Sequence, residues 1–426
     1  MPAQQRNRKP KGAARSPVRR KTVAPARRQA ELNTARGMKM ARSAHAYVRG
    51  STARFYEWLD ANERSVLPQG PAVWICGDCH IGNLGPVANA EGEVAIQIRD
   101  FDQTVIGNPA HDLVRLGLSL AMAVRSSDLP GVTTALMMEQ LMVGYRRAFQ
   151  PRAARPPRPE AVHIALKQAS RRTWRHLAEE RVQGKTVHFP MGARFWPVTK
   201  AEKSAIGQLL EQEDLQRIAT SLSRRSDDAP VELLDVAYWK KGCSSLGKLR
   251  FAAMLDVGGR AVLGRDLCLV DIKEAARAAA PRYQSAEMPH EYAQRVVEGA
   301  RHLSPHLGER MVAGRLWDRS VFVRELLPED MKLELNHITA DEARQVARYL
   351  AHVVGVAHAR QMSAADKRAW AGELSKNLGK SLEAPSWLWN SVVDLVGVHE
   401  RAYLDHCRRY ALESSRRIQQ IKQQPA

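Results

Sequence analysis

Trp74-Ile75-Cys76-Gly77-Asp78-Cys79-His80-Ile81-Gly82-Asn83 is the stretch on which the reading of this chain turns. The apolar run 72–76 has the length and composition of a short buried strand. It breaks at Gly77 into a polar, glycine-rich segment that reaches Gly85. A second apolar run, Val94-Ala95-Ile96-Gln97-Ile98, leads directly into Arg99-Asp100-Phe101-Asp102. Two neighbouring strands would then bring Asp78 and Asn83 from one, and Asp100 from the other, to a single edge. Two carboxylates and an amide oxygen suit Mg²⁺, a hard ion that takes oxygen ligands and completes its shell with substrate phosphates. That grouping leaves one carboxylate to orient or deprotonate a hydroxyl, which phosphoryl transfer requires. The competing reading is a set of Asx turns and helix caps. Asp112, ahead of an apolar helix, fits it well; Asp78, Asn83 and Asp100 taken together do not.

Outward from this block, residues 37–66 and 111–149 carry helical periodicity, and four prolines in 150–159 mark a boundary. Residues 160–226 are basic and helical in pattern. From Val231 the pattern turns to strands, predicted at 246–256, 261–272, 310–317 and 320–326, with a helix near 289–303. Residues 340–420 read as helical again. Gly242-Cys243-Ser244-Ser245-Leu246-Gly247 precedes one of these strands, and Lys273 ends the next. Such a loop can lay backbone N–H groups on phosphates, with a lysine from the adjoining strand reaching them. It is not a P-loop, because Leu249 stands where Ser or Thr must meet the metal and a strand follows instead of a helix. Cys76 and Cys79 run into a further strand instead of opening a helix, which argues against a redox pair, and no second Cys/His pair completes a zinc site.

The chain has 426 residues and a formal charge of +20. Residues 1–36 hold eleven Lys or Arg against one acid, Glu31, and so carry half of that charge. With four prolines and few large apolar residues, this segment is expected to be a disordered tail, with weak nucleic-acid contact as its functional reading. No apolar run is long enough to span a membrane. Five scattered cysteines fit reduced thiols, and a cytoplasmic location is expected.

Gly77-Asp78-x-His80-x-x-Asn83 resembles the catalytic loop of aminoglycoside phosphotransferases and choline kinases, members of the protein-kinase-like superfamily. Asp100-Phe101-Asp102, with the following 106–113 segment, resembles their metal-binding stretch. In that superfamily the glycine loop and lysine strand come first; here they follow the catalytic loop. This order resembles a narrower bacterial family, domain of unknown function 2252, whose members look like circularly permuted kinase-like proteins. Its motifs stand here as Tyr47-Val48-Arg49-Gly50, 74–80, 100–102, Ile272-Lys273-Glu274-Ala275 and Arg295-Val296-Val297-Glu298-Gly299.

The resemblance implies an α+β, two-lobed, kinase-like fold with permuted lobe order. The expected units are a basic tail (1–36), a catalytic part of the large lobe (37–150), a helical insertion (151–230), a small β-rich nucleotide-covering lobe (231–335) and C-terminal helices on the large lobe (336–426). It implies Asp78 as catalytic base with His80 bracing its loop, and Asn83, Asp100 and Asp102 around Mg²⁺. Lys273, paired with Glu298, would hold ATP phosphates under Gly242, Ser244, Ser245 and Gly247. The activity implied is ATP- and Mg²⁺-dependent transfer to a hydroxyl acceptor, more readily a small molecule than a protein. The alternative is a pseudokinase or nucleotide-binding adaptor whose basic tail docks on nucleic acid. Ser244 and Gln103 depart from the family's usual glycine and acid.

Overall fold

Apolar side chains gather under two different surfaces, a set of helices and a six-stranded sheet, and the loops of interest lie where the two meet. The computed structural model describes residues 23–125, 129–150, 155–172, 188–220, 225–226, 228–241, 247–259, 267–327, 329–330, 333, 338–376 and 384–423. The architecture is mixed α+β, and every paired strand is antiparallel. No described helix is long and apolar enough to cross a membrane.

Near the N-terminus come α1 (Pro25–Met40), α2 (Ala44–Gly50) and α3 (Thr52–Val66). Four short strands follow: β1 (Val73–Ile75), β2 (Leu84–Ala88), β3 (Val94–Ile98) and β4 (Val105–Gly107). β1 pairs with β4, placing Trp74 opposite Ile106, and β2 pairs with β3, placing Leu84 opposite Ile98. The two expected apolar runs are therefore strands, and each finds its partner in a short strand where the pattern predicts none. The helices α4 (Pro109–Arg125), α5 (Val132–Arg147) and α6 (Glu160–Arg171) come next. The helical core joins Phe55, Leu59, Ile75, Leu116, Leu141 and Leu350 in one buried cluster. Its later members come from α11 (Ala340–Ala359) and α13 (Ser386–Gln423).

The large sheet runs in the order β5-β6-β7-β8-β10-β9, with β5 Phe195–Trp196, β6 Val231–Trp239, β7 Arg250–Val257, β8 Leu267–Glu274, β9 Met311–Leu316 and β10 Arg319–Leu326. Every residue of β7 is buried, because both faces of the sheet are covered. Phe251, Leu255, Val270 and Val323 pack on α7 (Lys200–Leu210) and α8 (Glu213–Thr220), while Trp239, Met254 and Leu269 pack on Phe189 and Phe195. The expected helical insertion 151–230 is thus divided. Its second half, with β5, belongs to the sheet. Between β8 and β9 lie α9 (Tyr292–Leu303) and α10 (Pro305–Gly308), and α12 (Ala364–Ser375) follows α11.

The N-terminal boundary differs from the expected one. Residues 25–36 are not a disordered tail: they lie within α1, and Leu32 and Ala35 are buried in the sheet's core. Arg28 is 5% exposed and donates to Glu202 at 2.6 Å, with its guanidinium over the Tyr238 ring. Glu202 also caps α7 by accepting from the Thr199 N–H at 2.7 Å, so one carboxylate ends a helix and holds α1. The high count of basic residues hid a narrow apolar stripe. Residues 1–22 of the expected tail, and Gly242, Ser244 and Ser245 of the expected loop, lie outside the described residues.

Leu32→Ala should therefore destabilise the protein by about 2–4 kcal/mol, the range for emptying a buried leucine site. Urea unfolding of the full chain measures this, and an unchanged midpoint would show that α1 does not dock.

Candidate active site

Asp112 organises the loop that carries Asp78. It is fully buried at the first turn of α4. Its carboxylate accepts the N–H groups of Cys76 at 2.7 Å and Gly77 at 2.9 Å, just where β1 ends. His358 of α11 donates to the same carboxylate at 3.2 Å, and its other ring nitrogen meets the Tyr145 hydroxyl at 2.9 Å. A strand end with free N–H groups must be satisfied when buried, and here one side chain does it. Gly77 sits at φ +73°, and a Cβ there would come within 2.1 Å of the Gln103 carbonyl oxygen. Only glycine permits both the left-handed backbone and the close passage of the second loop.

The second loop, 99–104, crosses beneath the first and is tied to it. Asn83 accepts from the Arg99 N–H at 2.8 Å, and the Thr104 hydroxyl donates to the Ile75 carbonyl at 2.6 Å. Its outer side is held by α9. Arg295, 3% exposed, donates to the Asp102 carbonyl at 3.1 Å, to the Ala276 carbonyl at 2.8 Å, and to the Thr104 carbonyl. A Cβ at Gly299, one turn on, would stand 2.4 Å from the Thr104 side chain. The 295–299 motif thus works through its arginine and glycine, which grip the loop.

These loops bring Asp78, Asn83, Asp100 and Asp102 into one small cleft, together with Gln103 and Lys248. Asp78 is nearly buried. One of its oxygens accepts from Arg115 Nε at 2.8 Å and the other from the Thr52 hydroxyl at 3.0 Å. His80 Nε2 lies 3.9 Å from the second oxygen. Burial pushes the His80 ring well below its ordinary pKa, and the nearby Arg49 and Arg115 charges push it the same way, so it is neutral. Asn83 donates to the Asp78 carbonyl at 3.0 Å, which leaves its amide oxygen as the acceptor facing new partners.

Lys273 comes from β8, 173 positions beyond Asp100. Its ammonium lies 3.2 Å from Asp100 Oδ1 and 2.7 Å from Asp102 Oδ2. Burial acts to raise the Asp100 carboxyl, but Lys273, Arg324 and Arg250 together hold it well below the usual carboxylate range. The sheet therefore meets the catalytic-loop candidates directly. The Lys273–Glu298 pair implied by the resemblance is not formed. Glu298 instead pairs with Arg301 at 2.7 Å, one turn along the exposed side of α9, while Lys273 turns to the two aspartates. Glu291, on the same predicted helix, precedes its first turn and pairs with Arg315. Gly247, at φ +106°, lies between β6 and β7, and Lys248 beside it reaches the cleft.

The donor set fits Mg²⁺. Asp102 Oδ1 is buried without a hydrogen-bond partner, and Asp100 keeps a third of its side chain exposed. Among the described residues no three His, Cys, Asp or Glu side chains form a self-sufficient metal cage. Sequence reading missed Arg115, Thr52, Arg295 and Lys248. Arg115 was findable, since it follows Asp112 by three positions and shares its helix face.

A family model described as an uncharacterised protein conserved in bacteria, DUF2252, matches residues 28–409. No curated protein and no solved structure matches the chain.

Gly77→Ala should cost about 3–5 kcal/mol, since the strain of a left-handed backbone, about 1–2 kcal/mol, is joined by the cost of forcing the Gln103 backbone aside. Gly92→Ala, at φ +86° in open space, should cost only about 1–2 kcal/mol of backbone strain. Paired urea curves test the contrast, and equal losses would contradict the crossing of the loops. Burial and neighbouring arginines push His45 and His399 down to about 4. Their stability contribution is intact above about pH 6.5 and falls toward pH 4, because the unfolded chain binds protons that the native rings refuse. Histidine NMR titration should find those two rings with midpoints near 4, and midpoints near 6.5 would contradict their burial.

Proposed function

The chain belongs to this bacterial family, and from the chemistry of its cleft we propose that it is a phosphotransferase that uses ATP and Mg²⁺ to act on a hydroxyl acceptor. The observation that carries the proposal is the meeting of Lys273 with Asp100 and Asp102, beside Asp78 and Asn83. Lysine, two aspartates, an amide and a further carboxylate in one cleft form the set that phosphoryl transfer asks of a protein: positioning and charge stabilisation, with little covalent chemistry. The kinase-like relationship and the permuted lobe order belong to the same proposal.

Asn83, Asp100 and Asp102 would hold Mg²⁺, which when bound neutralises phosphate charge. Lys273 and Lys248 place positive charge where the phosphates of ATP would lie. Asp78 orients the acceptor hydroxyl and receives its proton. Arg115 and Thr52 fix the rotamer of that carboxylate, and neutral His80 fills the space behind it without competing for the proton. The acceptor's lone pair then attacks the terminal phosphorus, and the bond to the leaving diphosphate breaks.

One observation favours a second reading, a nucleotide-holding protein without turnover. Both Asp78 oxygens already accept hydrogen bonds, one from a buried guanidinium and one from Thr52, so an acceptor hydroxyl must displace or share a partner to reach either.

Asp78→Asn should abolish phosphate transfer while leaving Mg²⁺·ATP binding nearly unchanged. Asp100→Asn should weaken metal-dependent ATP binding as well as rate. Calorimetry with a non-hydrolysable ATP analogue and a phosphate-release assay across hydroxyl acceptors test the pair. Metal-dependent binding without turnover in the wild type selects the second reading, and absence of nucleotide binding overturns both.

A further inference from the structure

A second cavity lies away from the Asp78–Asp100 cleft and shares no lining residue with it. Its volume is about 510 Å³, within the range that takes a small organic ligand. One wall is the strand segment Val94–Gln97 of β3; another is α11, through Tyr349, His352, Val353 and Val356. Leu166 of α6 and Leu303 of α9 complete an apolar floor.

The mouth has a different character. Arg155, Arg158 and Arg360 stand around it, and all three are exposed. None of them forms an ion pair among the described residues. Glu93 is the single acid among the described lining residues, and its carboxylate accepts from the Asn89 amide at 3.3 Å. Burial lowers the Arg360 pKa and the Arg155 charge lowers it further, so these two cations face each other without a neutralising partner. His352 adds no compensating charge, since burial keeps its ring neutral. Arg158 bonds the Tyr349 hydroxyl, leaving the rest of its fork for a ligand. A second hollow adjoins across Arg360, over the stacked Trp74 and His302 rings. Arg360 therefore projects between two concavities.

We propose that this cavity binds a small organic phosphate, its anionic group held by Arg155, Arg158 and Arg360 and its carbon body on Leu166, Val353 and Val356. Three forked donors around an opening match phosphate oxygens, and the apolar floor beneath them has no use for a bare inorganic ion. The site stands independently of the phosphotransferase reading. β3 links the two places covalently, since the wall strand 94–97 continues within three residues to Asp100.

The test is fluorescence titration of the full chain with 1-naphthyl phosphate at fixed ionic strength, compared with 1-naphthol and inorganic phosphate. Naphthyl phosphate should bind at least about tenfold more tightly than either, because only it satisfies both halves of the cavity. Arg360→Gln and Arg158→Gln should each weaken it about tenfold, the scale of a lost charge-assisted hydrogen bond. Lys248→Gln, which removes a half-buried cation of the Asp78–Asp100 cleft without opening a buried ion pair, should leave it unchanged. Should Arg360→Gln fail to fold, Arg155→Gln at the exposed rim reads the same loss. Equal binding of 1-naphthol, undiminished affinity in the arginine variants, loss of binding in Lys248→Gln, or no saturable binding would each overturn the assignment.

Discussion

The Lys273 ammonium, 3% exposed and set between Asp100 and Asp102, is the interaction on which the arrangement of this molecule depends. A buried lysine without partners would lose its charge, and two adjacent carboxylates without a cation would repel. Each therefore requires the other. The lysine ends a strand of the six-stranded sheet, and the aspartates belong to a loop among the helices. Their attraction joins the two cores. Arg324, from the neighbouring strand, supports the same junction by donating to the Arg99 carbonyl at 3.0 Å while pairing with buried Asp271.

The loops around that junction are fixed by backbone contacts. Asp112 holds the end of β1, Thr104 ties the second loop to Ile75, and Arg295 caps carbonyls on the other side. Pre-organisation of this kind matters for charge chemistry, since groups already in place need not reorganise as charge develops. It also explains why the cleft is built on loops yet lies at the edge of well-packed strands and helices.

Much of this was legible in the residues. Val94–Ile98 is a strand with the expected limits, because four apolar residues in a stretch of five, flanked by charged ones, have no competing periodicity. The convergence of Asp78, Asn83 and Asp100 followed from placing them at strand ends. Other features carried weaker signals. Three-residue strands such as Val105–Gly107 are too short to show alternation, and their pairing is decided by what lies opposite. In α1 the informative residues are Leu32 and Ala35, which are few beside the surrounding arginines. In the 295–299 motif a glutamate drew attention for its charge. The working residues are the arginine and the glycine, whose roles show only once Thr104 is known to lie against them.

The treatment of arginine changes what the +20 charge means. Charge counted along a sequence suggests an outward electrostatic surface and a nucleic-acid partner. In this fold several arginines point inward and act as multidentate clamps. Arg115 is wholly buried against Asp78 and the Val48 carbonyl, and Arg310 is wholly buried against Asp330 and the Glu325 carbonyl. Arg225 meets Glu325 at 2.7 Å, and Arg250 pairs with Asp271 inside the sheet. A guanidinium serves this purpose because it is weakly hydrated, stays charged and satisfies several acceptors at once. Each of these arginines is neutralised by an acid, so the pairs add little field outside the protein and leave the net charge to residues elsewhere. The arginines that remain available to a ligand are those at a concave rim without an acid opposite, and Arg155, Arg158 and Arg360 stand in that position.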